Sequence, residues 1–246
     1  MSRSKPLTLM IKLISFDAWN TILRLDMITR AIAEKLGEQI GLGHESVLEI
    51  MIGVYRELKP RWASGLIEDS MIVEAAQRAL AEKLHLTRDA VSKAVTDAFK
   101  TVDPLELVHH DAWSTLEDLS REFKLAVVSN VFYWPGSLTR SIIEEAGLSR
   151  FFEAQLYADE LGMSKPDRRI FLRLCSMLGI SNEAAAHVGD ELIEDIGGAI
   201  SSGMRAILIK RDAEKPLVIK ELGLAIIPRL SDLRHALSEL QRRAET

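Results

Sequence analysis

Residues 14–23 read Ile-Ser-Phe-Asp-Ala-Trp-Asn-Thr-Ile-Leu, and this stretch decides the fold of the chain. An apolar run that begins at Ile11 ends at the carboxylate of Asp17, after which a short polar turn leads into new apolar residues. Such a run predicts a buried parallel strand with its reactive groups at the carboxyl end. Because ligands of open α/β sheets bind outside the carboxyl ends of the strands, Asp17 stands where a nucleophile or a metal ligand is expected. An Asp that caps the next helix explains this stretch equally well.

The composition limits the classes of function. With 246 residues, 47% of them hydrophobic, the chain can bury a sizeable core as one large domain or two. The net charge of −5 and the lack of a long basic run argue against nucleic acid as the main partner, since phosphate binding needs clustered Lys and Arg. The single cysteine, Cys175, excludes an intrachain disulfide and a cysteine-based metal cluster, and its apolar helical surroundings predict a buried structural thiol.

Residues 7–14 form an apolar segment near the N-terminus that resembles the start of a signal peptide. Lys12 interrupts this segment, Asp17 closes it and no small-residue cleavage site follows, so a secretory signal is not expected. Nowhere does the sequence hold about 18 consecutive apolar residues, so no membrane span is expected either. These features predict a soluble, cytoplasmic protein with no membrane partner.

A purely helical pattern follows the first predicted strand. Apolar residues recur at helical spacing, and charged residues fill the opposite faces, which predicts amphipathic helices. The predicted helices cover residues 26–40, 45–58, 68–84 and 87–99, the second ended by Pro60 and the last capped by Thr87. The pattern indicates an all-helical module inserted just after the first strand.

Short β-type runs alternate with helices beyond a predicted hinge at residues 102–104, Val-Asp-Pro. The predicted strands are residues 124–128, 154–158, 185–188, 205–209 and 224–227, and the predicted helices are residues 111–122, 136–147, 167–179, 191–202, 213–222 and 231–242. Alternation of strands and helices predicts an α/β fold with a doubly wound parallel sheet. We therefore assign residues 1–24 and 103–246 to an α/β core and residues 25–102 to a helical cap domain over the strand ends.

Polar residues follow the ends of further predicted strands. Ser129 and Asn130 follow one strand, an acidic cluster at residues 189–195 follows another, and Lys165 precedes a helix, where its charge opposes the helix macrodipole. Taken singly, these residues are explained by turns, a capping Asp and a solvated lysine. Together with Asp17 they place a carboxylate, a hydroxyl, a lysine and an acidic cluster at one sheet edge. This combination favours a Mg²⁺ and phosphoryl site.

Four segments resemble the motifs of the haloacid dehalogenase (HAD) superfamily, whose hydrolases use an aspartate nucleophile. Residues 16–21, FDAWNT, resemble motif I, and residues 128–130, VSN, resemble motif II. Residues 162–171, GMSKPDRRIF, resemble motif III and are the most specific match, and residues 187–195 resemble the phosphatase form of motif IV. The resemblance covers essentially the whole chain and implies a HAD-like, Rossmann-type core with a helical cap inserted after motif I.

The resemblance also implies roles for individual residues. Asp17 would be the nucleophile, and Asp17, Asp190 and the backbone carbonyl of Trp19 would hold Mg²⁺, while Ser129 and Lys165 would bind the phosphoryl oxygens. The candidate catalytic residues are Asp17, Thr21, Ser129 and Lys165, and the candidate substrate-binding residues are Trp19, Asn20, Ser129, Asn130 and Lys165. The candidate metal site comprises Asp17, Trp19, Asp190 and, in its second layer, Asp195. Asp195 would orient Lys165 or a metal-bound water.

One position departs from the phosphatases of this superfamily. They carry a second Asp two residues after the nucleophile, which protonates the leaving group and then activates water; here this position is Trp19, and Asn20 replaces the usual glycine. A general acid contributes roughly 10²–10⁴-fold, so its loss costs about 3–5 kcal/mol of barrier. The 2-haloacid dehalogenases resemble the chain here, because they carry an aromatic residue at this position and expel halide without a proton. Their motif IV, however, lacks the Gly-Asp pair and uses no metal, whereas this chain has Asp190 and Asp195.

These features predict a Mg²⁺-dependent HAD-like hydrolase that acts on a small phosphorylated metabolite and is weakened by Trp19. Two alternatives stay open: a 2-haloacid dehalogenase-type hydrolase of carbon–halogen bonds, and a non-catalytic protein that binds phosphate or a partner protein. The expected ligand is an anionic small molecule, whereas the substrate and the oligomeric state cannot be read from the sequence. Residues 55–62 are predicted to be a solvated interhelical loop rather than an anion-binding segment, and His109-His110 a structural pair.

Overall fold

The computed structural model describes residues 10–241, so residues 7–9 of the N-terminal apolar segment and both outer ends of the assigned core lie outside it. The strands are β1 (Leu13–Phe16), β2 (Lys124–Ser129), β3 (Phe152–Tyr157), β4 (Ala185–Gly189), β5 (Arg205–Ile209), β6 (Leu217–Ile219) and β7 (Leu224–Ile227). They form one seven-stranded sheet in the order β3-β2-β1-β4-β5-β7-β6. Every neighbouring pair is parallel except β6 with β7, which confirms the predicted doubly wound sheet.

The register of the sheet brings the polar strand ends together. β1 lies between β2 and β4, and its last residue, Phe16, pairs with Val127 on one side and Val188 on the other. All residues of β1 are buried, as expected for an interior strand of a sheet covered on both faces. Because the strands run in parallel, the residues that follow them, including Asp17 and Asp190, lie at the same edge of the sheet.

Six helices lie between β1 and β2, and the first four occupy the segment in which the sequence pattern predicts an inserted helical module. These four are α1 (Leu25–Ile40), α2 (His44–Ala63), α3 (Ile72–Leu84) and α4 (Arg88–Thr101). Gly41 ends α1 with a φ of 69°, a left-handed conformation that glycine adopts without strain. Thr87 caps α4 as predicted, because its hydroxyl accepts a hydrogen bond from the backbone N–H of Ala90. The assignment of these helices to a separate cap domain stays a prediction.

The remaining helices cover both faces of the sheet. They are α5 (Pro104–Leu107), α6 (Ala112–Leu119), α7 (Gly136–Glu145), α8 (Ala158–Leu161), α9 (Arg168–Leu178), α10 (Gly198–Ser201) and α11 (Leu233–Gln241). Short 3-10 turns occur at Asp69–Met71, Ser149–Phe151, Asn182–Ala184, Lys220–Leu222 and Leu230–Asp232. Within residues 10–241, no helix has both the length and the apolar character needed to cross a membrane.

The two faces of the sheet bury separate apolar clusters. One cluster continues from the sheet into the inserted helices and includes Trp19 and Phe99 of α4. The cluster on the other face includes Leu13 and Cys175. Cys175 is buried, as predicted, and burial raises the pKa of its thiol to about 11, so the thiol is protonated and unreactive at neutral pH.

The prediction that Pro60 ends the second helix is wrong. α2 continues through Pro60 to Ala63, so residues 55–62 are helical and not the solvated loop expected from the sequence. Leu58 and Trp62 lie four residues apart on the buried face, whereas Pro60 is exposed. The carbonyl that the proline leaves without a partner can therefore be hydrated, and the packing of the apolar face outweighs the local preference of proline.

Residues 213–222 also differ from their prediction as a helix. They contain β6 and a 3-10 turn, and Val218 pairs with Ala225 of β7 in an antiparallel arrangement. Pro216 and the two β-branched residues that follow Leu217 favour an extended segment, and the sheet edge supplies the partner strand. Residues 191–202, predicted as one helix, divide into a π-helix at Leu192–Gly197 followed by α10.

Candidate active site

Asp17 is the centre of a buried polar cluster at the carboxyl edge of the sheet. Its Oδ1 accepts a hydrogen bond from Nζ of Lys165 at 2.6 Å and another from the hydroxyl of Ser129 at 3.0 Å. Ser129 ends β2, and Lys165 lies in the loop before α9, so three separate elements meet at one oxygen. All three residues are at least nine-tenths buried, which strengthens their electrostatic interactions.

Asp195 holds Lys165 from the other side. Nζ of Lys165 lies 2.6 Å from Oδ1 of Asp195, and the backbone N–H of Glu191 donates to Oδ2 at 2.9 Å. Gly189 is required for this approach, because a Cβ there would lie 2.2 Å from the carboxyl group of Asp195. Burial opposes ionisation, but Lys165 and His187 outweigh it and lower the pKa of Asp195 below its usual range. Asp195 is therefore a fixed anion that orients the lysine.

His187 completes the support beneath Asp195. Its Nε2 lies 3.1 Å from Oδ1 of Asp195, and the hydroxyl of Ser15 lies 2.8 Å from its Nδ1. Burial lowers the pKa of His187, so the ring is neutral. Because an ionised carboxylate only accepts hydrogen bonds, His187 donates from Nε2, and Ser15 donates to Nδ1. Sequence reasoning did not select His187 or Ser15; both lie inside their strands, where only the structure reveals the contact.

One ammonium group faces three carboxylates at this edge. Burial raises the pKa of Asp17 to about 8; Lys165 opposes this effect, while Asp195 and Asp190 add to it by repulsion. Burial, followed by repulsion from Asp195, raises the pKa of Asp190 to about 6. Asp17 and Asp190 therefore lack enough positive charge, and two such oxygen ligands suit a hard divalent cation. The described residues contain no group of three or more His, Cys, Asp and Glu side chains arranged around a metal position.

Asn20 and Asn130 hold neighbouring parts of the cluster in place. Asn20 has a φ of 58°, a left-handed conformation that Asn tolerates better than most residues, which explains how it replaces the glycine of the motif. Its Nδ2 donates to Oδ2 of Asp190 at 3.1 Å. Asn130 Oδ1 accepts from the backbone N–H of Lys165 at 2.9 Å, and its Nδ2 donates to the carbonyl of Lys165 and to Glu194. Asn130 thus fixes the loop that carries the lysine.

Trp19, two residues after Asp17, has an aromatic side chain that packs on its neighbours. Its ring meets Trp134 edge to face with centroids 5.1 Å apart, and Phe99 with centroids 6.1 Å apart. The indole N–H donates to Oγ1 of Thr139 at 3.1 Å, and the N–H of Trp134 donates to the same oxygen at 3.2 Å. Only 7% of Trp19 is exposed, so its side chain links the inserted helices to the core.

Thr21 differs from the other candidates. Its side chain is completely buried, and its hydroxyl has no hydrogen-bond partner among the described residues. It does not line the cavity described below, whereas Asp17, Trp19, Asn20, Ser129, Asn130, Lys165, Asp190 and Asp195 all do. The structure therefore brings eight of the nine candidate residues to one site, and Thr21 is not part of it.

A cavity of about 480 Å³ opens over these eight residues. The inserted helices contribute Leu25, Asp26, Thr29, Leu48, Met51, Ile52, Tyr55 and Trp62, and the loop after β2 contributes Val131, Phe132, Tyr133 and Trp134. The three consecutive aromatic residues at 132–134, shortly after the motif at 128–130, were a signal for this wall that sequence reasoning missed. The wrong loop prediction for residues 55–62 concealed the contribution of α2.

His109 and His110 lie away from this cavity. The Nε2 atom of His109 is buried without a hydrogen-bond partner among residues 10–241. Burial, followed by the nearby charge of Arg211, lowers the pKa of His109 to about 4, so its ring is neutral at physiological pH. Neither histidine lines the cavity, in agreement with a structural role.

Solved structures with the same architecture include a magnesium-bound HAD-hydrolase and a haloacid dehalogenase. HAD-hydrolase YfnB from Bacillus subtilis superposes with a TM-score of 0.70 at 18% identity, covering 93% of this chain and 99% of that chain. L-2-haloacid dehalogenase from Xanthobacter autotrophicus gives the same TM-score at 17% identity and the same coverage. These similarities establish the fold.

Curated relatives also divide between two activities. A glyceraldehyde 3-phosphate phosphatase from Methanothermobacter thermautotrophicus is 34% identical over 132 residues, which are 50% of this chain and 56% of that protein. (S)-2-haloacid dehalogenase 4A from Burkholderia cepacia is 26% identical over 208 residues, 82% of this chain and 84% of that protein. The chain thus spans only about half of the first of these relatives. A sequence model of haloacid dehalogenase-like hydrolases matches residues 11–203, and the chain belongs to this hydrolase family.

Proposed function

We propose that this protein is a Mg²⁺-dependent phosphohydrolase that acts on a small phosphate monoester through an aspartyl-phosphate on Asp17. The observation that carries the proposal is the second carboxylate: Asp190 lies at the same sheet edge as Asp17, and the pKa of each is raised. A cation between them would relieve the repulsion that the single lysine leaves. The similarity to phosphatases and the magnesium-bound relative from Bacillus subtilis add support.

Mg²⁺ held by Asp17, Asp190 and the carbonyl of Trp19 would supply positive charge to the phosphoryl oxygens. In the proposed reaction, a carboxylate oxygen of Asp17 bonds to phosphorus while the ester P–O bond breaks, and the electron pair leaves on the ester oxygen. Ser129 and Lys165 donate hydrogen bonds to the phosphoryl oxygens, in place of those they give Asp17 here. Asp195 keeps Lys165 aimed at the site.

The proposed reaction lacks a proton donor at position 19. The indole N–H of Trp19 is engaged with Thr139, and an indole is no acid at neutral pH. The leaving group must therefore depart as an anion, and water must attack the aspartyl-phosphate without help from this position. We expect this second step to limit turnover, so a fast release of leaving group should precede a slow steady rate.

A parallel assay of phosphate and halide release tests the proposal. Purified protein is given a panel of phosphate monoesters and 2-chloropropionate, each with Mg²⁺ and with EDTA. Phosphate release that requires Mg²⁺ and disappears in Asp17→Asn supports the proposal. Binding of beryllofluoride, a mimic of the acyl-phosphate, should show the same two requirements. Absence of both phosphate release and beryllofluoride binding in the folded wild-type protein contradicts it and favours a non-catalytic protein.

Dehalogenation is the second candidate, because an aromatic residue follows the nucleophile by two positions and a haloacid dehalogenase matches most of the chain. Halide needs no proton to leave, so Trp19 would carry no penalty in that reaction. Asp190 argues against dehalogenation. The pKa of its carboxyl is raised, and a bound cation, which dehalogenation does not use, would explain a second carboxylate near Asp17. Chloride release that persists in EDTA would establish the second candidate.

A further inference from the structure

The wall of the cavity opposite the sheet edge is apolar and aromatic. Phe132, in the loop after β2, meets Tyr55 of α2 edge to face at 4.8 Å and approaches Trp62 at 6.2 Å. The loop is fixed to the inserted helices, because the carbonyl of Tyr133 accepts a hydrogen bond from Nε2 of Gln77 at 2.9 Å and its hydroxyl donates to the carbonyl of Met51. This wall is a preformed apolar surface against which the part of a substrate other than the phosphate can pack.

Positive charge is scarce in the cavity. Of the described residues that line it, Lys165 alone is cationic, and it is already paired with Asp17 and Asp195. Lys59 of α2 does not line the cavity, and its ammonium is paired with Glu194, at 3.2 Å, and Glu191, at 3.8 Å. A second negative group on a substrate would find carboxylates at this rim and no free cation.

The missing proton donor restricts the leaving group independently. A phenol has a pKa of about 10, whereas an alkyl alcohol resembles water, at about 15.7. A phenolate therefore departs far more readily than an alkoxide when no acid assists. Two other lining groups are engaged elsewhere: the hydroxyl of Tyr133 donates to the carbonyl of Met51, and Glu194 is bound to Lys59 and Asn130.

We infer that the substrate is a phosphate monoester of a neutral aromatic alcohol of the phenol type, without a second acidic group. The inference rests on the proposed function and narrows its substrate. The Asp17 carboxylate bonds to phosphorus, the P–O bond to the aromatic ring breaks, and the phenolate leaves with the electron pair and takes a proton from solvent. A water then bonds to phosphorus, Asp17 leaves as a carboxylate, and both protons of the water stay with the product, which is released as H2PO4⁻.

Two pairs of matched substrates test the two parts of the inference. Phenyl and cyclohexyl phosphate have similar size but differ in the acidity of the alcohol, and we expect kcat/KM to be at least tenfold higher for phenyl phosphate. The phosphates of 4-hydroxybenzamide and 4-hydroxybenzoate differ in a single negative charge. We expect the amide to be preferred at least tenfold, mainly through KM. Equal or reversed values for either pair would overturn the inference.

A substitution on the apolar wall tests whether the preference for the amide over the carboxylate arises there. Ile52 lines the cavity, and 47% of it is exposed, so a polar side chain there does not threaten folding. Ile52→Lys should reduce the preference for the amide at least threefold relative to Ile52→Gln, which introduces a polar group without charge. An unchanged preference would show that the leaving group does not lie against this wall, and would overturn the inference.

Failure of the inference and failure of the proposed function give different results. Phosphate release that depends on Asp17 but favours alkyl or carboxylated esters would leave the function standing and refute the substrate class. If no ester is hydrolysed and beryllofluoride does not bind, the proposed function fails, and ligand binding then tests the preference for an uncharged aromatic group. Calorimetry with 4-carbamoylphenyl and 4-carboxyphenyl phosphonate in Mg²⁺ should give at least tenfold tighter binding of the amide; equal or reversed affinities would overturn the inference.

Discussion

Replacing Asp17 by Asn should stabilise the protein at high pH when Mg²⁺ is absent. Burial raises the pKa of the Asp17 carboxyl from 3.8 to about 8, so between these values the folded state holds a proton that the unfolded state releases. Stability contributed by this group is present in full below pH 4 and is lost as the pH rises towards 8. Asn is neutral throughout, and its side-chain oxygen can still accept hydrogen bonds from Lys165 and Ser129.

The size of the effect follows from the difference between the two pKa values. About 4 pKa units correspond to roughly 5 kcal/mol, and water entry at the open cavity reduces this, so we expect Asp17→Asn to gain about 2–4 kcal/mol over wild type between pH 5 and pH 9. Asp190→Asn is the matched control: burial raises the pKa of Asp190 only to about 6, so its relative gain should be smaller and complete by pH 7.

Urea unfolding at pH 5, 6, 7, 8 and 9 in EDTA measures these free energies. A difference between wild type and Asp17→Asn that stays constant over this range would refute the charge imbalance on which the metal site rests. Wild type more stable than the variant at pH 9 would refute it as well. With Mg²⁺, wild type should recover stability by mass action, most strongly at high pH where both carboxyls are ionised, and Asp17→Asn should not.

Three further predictions concern neighbouring residues. Calorimetry should detect Mg²⁺ binding to wild type and a loss of at least tenfold in affinity in Asp190→Asn; the same heat in both would contradict the metal assignment. Trp19→Asp, made alone and together with Asn20→Gly, should speed the release of alcohol in the first turnover of alkyl phosphates at least tenfold and the release of p-nitrophenol from p-nitrophenyl phosphate little, because only the alkoxide needs a proton; folded, Mg²⁺-binding variants without any gain would favour a non-catalytic protein. Thr139→Val should cost about 2 kcal/mol in urea unfolding, because it leaves two buried indole N–H groups without an acceptor, whereas Thr139→Ser should cost less than 1 kcal/mol.

The sheet and most of the site could be predicted because each depends on a local pattern with one physical solution. The apolar run before Asp17 has the length of a buried strand, and parallel strands place whatever follows them at the same edge. Asp17, Ser129 and Asp190 therefore had to meet once the strands were recognised. Lys165 was identified because a lysine just before a helix is unfavourable for that helix. Its contacts with the carboxylates of Asp17 and Asp195 explain its position.

The parts that could not be predicted depend on contacts between distant segments. Pro60 ends a helix in isolation, but the buried face formed by Leu58 and Trp62 carries α2 past it. Leu217–Ile219, within the segment predicted as a helix, form a strand because β7 offers an edge to pair with. In the sequence, His187 is indistinguishable from an ordinary strand residue. Its hydrogen bond to Asp195 depends on the π-helix that contains Asp195, which the sequence pattern did not predict.

Trp19 is the residue that makes the function ambiguous in the sequence. Its side chain either only packs the inserted helices against the core or also takes part in the reaction, and Trp19→Phe separates these two roles. Phe keeps an aromatic ring against Trp134 and Phe99 but removes the hydrogen bond to Thr139, and it supplies no acid. If the side chain only joins the inserted helices to the core, Trp19→Phe should lower stability by about 1–2 kcal/mol and leave kcat on phenyl phosphate within threefold.

A kcat loss of tenfold or more in folded Trp19→Phe would contradict that role, because neither side chain can donate a proton to the leaving group. It would mean that the indole itself contacts the substrate or sets the angle at which Asp17 meets phosphorus. The rescue expected of Trp19→Asp would then be masked by the loss of this contact. The double variant with Asn20→Gly would no longer report on the missing acid alone, so the Phe variant has to be measured first.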